Sequence, residues 1–212
     1  MRFLRHVALA VLAVAGSAGL SGEVLAQVAS GRSGMSTSGA LGNVRAFSDL
    51  RAFGICYVRA SRNNALAVIA TTPASPEEAE LFRRRVVGEQ NCLFGGTNMT
   101  LSIIYMRGAI AEGLLRSGGV PQTHWLPAPA PAEVRTLHDA ARCYATGHRG
   151  EIQALLETEP GSQPEVAAVA ALWNDFRVCI TGPRVRLNAP WIRYLLAEAL
   201  LRLPPAATPA GN

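Results

Sequence analysis

Four cysteines constrain this chain more than any other feature: Cys56 and Cys92 stand 36 residues apart, and so do Cys143 and Cys179. Two equal spacings point to an internal duplication, which superimposing the cysteines tests. Leu50 then falls on Leu137, Tyr57 on Tyr144, Arg62 on Arg149, Ala67 on Ala154, Thr71 on Thr158, Pro73 on Pro160, Ser75 on Ser162 and Glu78 on Glu165. A one-residue shift after the second cysteine aligns Leu101 with Leu187, Arg107 with Arg193, Ala111-Glu112 with Ala197-Glu198, and Leu114-Leu115 with Leu200-Leu201. The chain therefore reads as two repeats, residues 44–116 and 131–203. A unit of roughly 70 residues folds alone only marginally, so the two are expected to pack against each other.

The flanking segments read differently. Arg2 and Arg5 precede an uninterrupted apolar run from Val7 to Leu20, and Val24-Leu25-Ala26 places small residues where a signal peptidase cuts, so residues 1–26 are expected to be a signal peptide cleaved near Ala26. The run is too short for a membrane span, which needs about 20 apolar residues. Residues 27–43 are Gly/Ser-rich, 117–130 form a Pro/Gly linker and 204–212 a Pro/Ala-rich tail, all with the composition of flexible segments. The expected product is periplasmic or extracellular, with no transmembrane segment. In that compartment the cysteines read as disulfides. Of the three pairings that four cysteines allow, equal spacing favours Cys56 with Cys92 and Cys143 with Cys179, one bond inside each repeat. Cys-x-x-Cys redox motifs and the short paired spacings of structural zinc are absent.

Within each repeat the apolar period is helical, so the fold class is mainly α, about four helices per repeat. Val44, Phe47, Leu50, Phe53, Ile55 and Val58 mark the first opening helix, and Val134, Leu137, Ala141 and Tyr144 the second. Short helices follow at 65–70 and 151–157, stopped by Pro73 and Pro160. Ser75-Pro76-Glu77-Glu78 and Ser162-Gln163-Pro164-Glu165 combine an N-cap serine, an early proline and first-turn acids, which predicts third helices running into the second cysteine of each repeat. Alternation at Met99, Leu101, Ile103 and at Val185, Leu187, Ala189 allows one short extended segment per repeat. Tyr105–Arg116 and Pro190–Leu203 read as closing helices. Gly108 and Gly113 lower helix propensity in the first of these.

The residue inventory excludes more chemistry than it supports. All 20 basic residues are arginine, which removes Schiff-base lysines and the P-loop lysine, and no cofactor motif is present. A net charge of +5 with only 17% charged residues does not fit a nucleic-acid binder. His124, His138 and His148 lack the i, i+4 spacing of a histidine metal site. His138-Asp139 could join Ser75 or Ser162 in a hydrolytic triad on paper, but no Gly-x-Ser-x-Gly turn positions a nucleophile, so these read as polar residues on a helix face. Glu77, Glu78 and Glu80 read as favourable charge at a helix start. Arg83-Arg84-Arg85 reads as a solvated face, with an anionic partner or lipid surface as the alternative. Arg107 with Glu112, and Arg193 with Glu198, lie on otherwise apolar helices; each arginine is expected to be at least partly buried and paired with a carboxylate or helix-end carbonyls, and because i, i+5 residues do not face each other ideally, a bond across to another helix or to the other repeat is the alternative. Their role reads as structural, or alternatively as an anion- or partner-binding pair.

Cys-Tyr in the opening helix, the Ile69-Ala70-Thr71-Thr72-Pro73-Ala74-Ser75 and Leu156-Glu157-Thr158-Glu159-Pro160-Gly161-Ser162 segments, a second cysteine, and Arg-x-x-x-Ala-Glu-x-Leu-Leu together resemble uncharacterised secreted proteins of sphingomonad-type alphaproteobacteria. The resemblance spans residues 44–203 and implies secretion without implying an activity. Three functions are compatible with the sequence: a non-catalytic interaction protein engaging another envelope protein, a periplasmic immunity or inhibitor protein, and a hydrolase of envelope polymer. The last would need a carboxylate of raised pKa in a cleft, for which Glu112 and Glu198 are the candidates.

Overall fold

A computed structural model describes residues 40–87, 90–92, 102–119, 131–181 and 187–204. They form eight α-helices: α1 (Ala40–Ala60), α2 (Arg62–Ala70), α3 (Pro76–Leu81), α4 (Ile103–Arg116), α5 (Leu137–Ala145), α6 (Arg149–Glu157), α7 (Gln163–Phe176) and α8 (Ala189–Leu201). No strand occurs among the described residues. Ile103 and Ala189, expected at the ends of extended segments, instead open α4 and α8, while Met99, Leu101 and Val185 lie outside the described residues. The segment expected to be a signal peptide, most of the expected linker and most of the expected tail also lie outside them. The expected flexible segment 27–43 is shorter than its composition implied, because α1 already begins at Ala40.

The helix starts follow local chemistry. The Ser75 and Ser162 hydroxyls accept from the N–H of Glu78 and Glu165, with proline in the first turn of α3 and α7. Thr136 and Asp139 form a complete capping box at α5, and Asn188 caps α8 by accepting from the Trp191 N–H. The third helices do not run unbroken into the second cysteines. After α3 the chain widens into a π-helical turn at Phe82–Val86, and Cys92 ends a separate 3₁₀ turn; Cys179 ends another just beyond α7. Disulfides join Cys56 to Cys92 and Cys143 to Cys179, as the spacing favoured. Each closes a 36-residue separation, for which chain entropy supplies about 4 kcal/mol.

The core is one continuous cluster, running from Phe47, Leu50 and Phe53 on α1 through Ile110 and Leu114 to Ile152, Phe176, Ile192 and Leu196. Its axis is α4, packed between α1 and α8; α8 in turn packs on α5 and α6. The glycines that lower the helix propensity of α4 are the ones that let helices touch. A Cβ on Gly108 would sit 2.1 Å from the Cβ of Tyr194, and one on Gly113 would sit 2.5 Å from the Gly54 carbonyl oxygen of α1. Gly54 reciprocally abuts the Ala109 carbonyl. Backbones this close leave no room for any side chain, so packing overrides propensity here.

Gly108→Ala should therefore destabilise by about 2–3 kcal/mol through overpacking. Gly150→Ala on α6, where a Cβ meets nothing, should be neutral or slightly stabilising. Urea unfolding of the two variants beside the parent protein distinguishes these outcomes.

Candidate functional site

Two buried arginines organise the interior. Arg107 on α4 is 1% exposed and Arg193 on α8 is fully covered, placing both among the largest buried side chains. Arg107 forks onto Glu198, with Nε to Oε2 at 2.7 Å and Nη2 to Oε1 at 2.8 Å. Arg193 forks onto Glu112 in the same way, at 2.9 and 2.7 Å. The i, i+5 pairs are thus exchanged between α4 and α8, each arginine taking the other helix's glutamate. Paired bonds between charged forks of this kind are strong and geometrically selective.

The remaining donors cap short helices. Arg107 donates to the carbonyls of Val68, Ile69 and Thr71 and to the Thr71 hydroxyl, at the C-terminal end of α2. Arg193 donates to the Leu155 and Leu156 carbonyls and the Thr158 hydroxyl, at the end of α6. A cation at the negative end of a helix dipole satisfies carbonyls that the helix leaves unpaired. A second acid completes each centre: Glu78 accepts from Arg107 at 2.9 Å, and Glu165 from Arg193 at 3.2 Å. Each of these acids also turns its other oxygen back to close the preceding turn, Glu78 accepting from the Ala74 N–H and Glu165 from the Gly161 N–H. Ala74 and Gly161 both adopt positive φ, 62° and 77°. Sequence reading assigned Glu78 to the helix start alone; its register with Glu165, together with Thr71 on Thr158, was the signal that these residues belong to the arginine centres.

Every nitrogen of both guanidinium groups is engaged inside the protein, so neither arginine has a donor to offer an anion. The electrostatics agree. Burial opposes the charge on Arg107 and Arg193, yet the paired glutamates outweigh it and raise both pKa values. Burial likewise pushes the Glu198 carboxyl up, but hydrogen bonds from His138 and Arg107 and the Arg107 charge hold it well below the usual carboxylate range. Glu198 consequently lacks the raised pKa that a hydrolytic general acid needs. At Glu165 burial wins: the Gly161 N–H and Arg193 only partly offset it, and its pKa is raised.

The two centres differ in what covers them. Beside Glu159, near Arg193, Ser48 and Arg51 of α1 hydrogen-bond to the Glu159 carboxylate, and Arg51 also reaches the Thr158 carbonyl at 3.3 Å. Around Glu198 the position matching Arg51 in the cysteine register is His138, whose Nδ1 lies 3.4 Å from Glu198 Oε2. Here a cleft of about 750 Å³ opens between the α2–α3 turn and α5. Its apolar walls include Ile103, Ile104, Leu137 and Leu195; its polar lining includes Thr72, Ser102, Thr136, His138 and Arg142. His138, read from sequence as a helix-face residue, is thus a cleft residue packed against a buried carboxylate. Ser75 and Asp139 also line the cleft. Ser75 accepts from the Glu78 N–H, Asp139 accepts from the Arg135 and Thr136 N–H groups, and no hydrogen bond between Ser75 and His138 occurs among the described residues.

Other sequence candidates are accounted for locally. Arg83 and Arg84 pair with Glu80 on an exposed face. His148 stacks on Tyr144 with ring centroids 4.1 Å apart, and His124 lies outside the described residues. No group of three metal-ligating side chains occurs among the described residues, nor does a helix long and apolar enough to cross a membrane. No protein-family model, curated protein or solved structure matches the chain.

Two measurements test the arginine centres. Arg107→Leu strands Glu78 and Glu198 in the core and should destabilise by about 3–5 kcal/mol in urea unfolding at neutral pH. Arg107→Lys should recover little of that loss, because an ammonium cannot reproduce the fork. The acid response follows from the carboxylates. Because the folded-state pKa of Glu198 lies below its ordinary value near 4.5, its stabilisation is complete above that pH and is lost progressively in more acidic solution. The raised Glu165 runs oppositely: its ionised form is disfavoured in the folded state, and protonation in mild acid relieves that cost. Unfolding free energy should fall as pH drops below about 4.5. Glu198→Gln should flatten that fall, while Glu165→Gln should retain it and cost less stability at neutral pH.

Proposed function

We propose that this chain is a secreted or periplasmic, non-catalytic helical binding protein whose partner is another protein of the cell envelope, received in the cleft beside His138 and Glu198. The observation that carries this reading is the division of labour between the arginine centres and the cleft. Arg107, Arg193 and their four glutamates are saturated among themselves and act as scaffold. The cleft presents apolar walls with a few polar groups, the usual make-up of a binding pocket. Two disulfides and the absence of a membrane-crossing helix among the described residues are compatible with life outside the cytoplasm, as is the expected signal peptide.

The reading includes the duplication. Its support is the list of paired residues together with the parallel contact sets of Arg107 and Arg193, down to the serine cap, the returning glutamate and the helix-end carbonyls. On this view two equivalent units exchanged one ion pair each across α4 and α8. One site was then covered by the longer α1, and the other left open.

Affinity capture from an envelope extract with the oxidised protein tests the function. A stoichiometric partner should be retained by the parent and by Arg83→Ala, exposed and outside the cleft lining, and lost by Thr72→Trp, which fills the cleft from its exposed rim. Retention of the partner by a folded Thr72→Trp variant would refute the cleft as the binding surface. A hydrolase reading draws on one observation, the orientation of His138 by Glu198. It requires turnover of a soluble ester that disappears in His138→Ala.

A further inference from the structure

We infer that the cleft recognises a free carboxylate on an apolar residue, the C-terminal end of a partner's chain; this rests on the binding function proposed above and names the chemistry of the ligand. The first ground is a census of hydrogen-bonding capacity. Three carboxylates line the cleft, and all are already occupied. Glu198 accepts from Arg107, Arg202 and His138; Glu78 from Arg107 and the Ala74 N–H; Asp139 from Arg142 and the Arg135 and Thr136 N–H groups. Glu78 and Glu198 are also sunk in the floor, 5% and 4% exposed. Acceptors are therefore spent.

Donors are not. Arg142 is 28% exposed at the cleft wall and gives only its Nη2 to Asp139, while its Nε is buried with no hydrogen-bond partner. With the Nε shut away, the edge it keeps for an incoming carboxylate is the one carrying Nη1, which makes no hydrogen bond among the described residues. His138 lines the same cleft with its Nδ1 committed to Glu198. What a ligand meets here is a donor surface over neutralised acids.

Charge balance selects the kind of anion. Arg107, Arg142 and Arg202 cancel Glu78, Asp139 and Glu198, so the cleft carries no standing excess of positive charge to hold a phosphate dianion. A single carboxylate suits it. The walls then select the group attached to that carboxylate. Ile103, Ile104, Leu137 and Leu195 offer an apolar surface, while the Thr72 and Ser102 hydroxyls on the same lining can pair with peptide amides, the Thr136 hydroxyl being taken up in the α5 capping box. A bare hydrocarbon tail would leave those hydroxyls facing nothing, which favours a peptide end over a fatty acid. The volume, about 750 Å³, lies within the roughly 300–1,000 Å³ of small-ligand pockets and suits a chain terminus.

Titration of the oxidised protein, followed by calorimetry and amide NMR, tests the inference with three probes: acetyl-Ala-Leu as the free acid, the same dipeptide as its C-terminal amide, and octanoate. The free acid should bind saturably and shift resonances of Ile103, Ile104 and Leu137, and the amide should bind at least tenfold more weakly. Arg142→Gln, which leaves the capping box of α5 in place, should lose about tenfold in affinity for the acid and leave amide binding unchanged. Thr72→Glu, at the exposed rim and outside the ion-pair network, should abolish acid binding in a protein that keeps its helical spectrum and both disulfides. Equal affinity for acid and amide, or an undiminished Arg142→Gln, overturns carboxylate recognition. Preference for octanoate overturns the peptide source. Loss of the envelope partner in Thr72→Trp together with no response to any probe sinks this inference alone, leaving the binding function standing. Tight binding of the free acid with a partner indifferent to Thr72→Trp does the reverse.

Discussion

The exchange of ion pairs between α4 and α8 is the constraint on which the rest of the structure depends. A guanidinium buried beyond the reach of water is tolerable only where a carboxylate and several further acceptors meet it. Each centre supplies these from three places: the forked glutamate of the facing helix, a second glutamate from the start of α3 or α7, and the carbonyl ends of α2 or α6. One side chain thereby fixes the positions of three helices. The close approach at Gly108 and Tyr194, one residue beyond each arginine, brings the α4 and α8 backbones near enough for the forks to close. Polar satisfaction and apolar packing are met by the same geometry.

From that symmetric interior the molecule departs on one side. α1 is 21 residues long and α5 only 9, and the additional turns of α1 bring Ser48 to Glu159. The shorter α5 leaves the corresponding space near Glu198 open, and a histidine stands there in place of an arginine. The cleft thus coincides with the shorter α5 and with a histidine in place of an arginine, and its chemistry comes from residues that the scaffold does not consume. The Thr72 and Ser102 hydroxyls and the part of Arg142 that Asp139 does not hold belong to that unconsumed set.

Much of this was legible in the sequence because local chemistry and the equal cysteine spacing carried it. Serine caps, first-turn prolines and stopping prolines marked the helix ends, and equal spacing marked the disulfides. The i, i+5 offset of Arg107 and Glu112 already argued that each bonds elsewhere. The remainder depended on partners distant in sequence. Glu78 and Glu165 look like helix-start acids because they are, and nothing local announces that their second oxygen reaches an arginine on another helix. Gly108 and Gly113 look like poor helix residues until the neighbouring backbones are in place. The π-helical turn at Phe82–Val86 carries no breaker to announce it. The cleft coincides with a difference in helix length, and His138 became a cleft residue only once α8 set Glu198 beneath it.

The exchanged pairs also impose an order on folding. Arg107 waits for a glutamate 91 residues further along the chain, and Glu112 for an arginine 81 residues away. Before α8 is in place, α1 to α4 can form their own helices with Arg107 held by Glu78 and Glu112 by Arg116, each still lacking its forked partner. Contacts this distant in sequence form late, because the loop they close must first be found. Until α8 arrives, Arg107 and Glu112 each lack the forked partner that completes their burial. Docking of α8 therefore completes both centres in one step, and neither half of the chain holds a finished interior without the other.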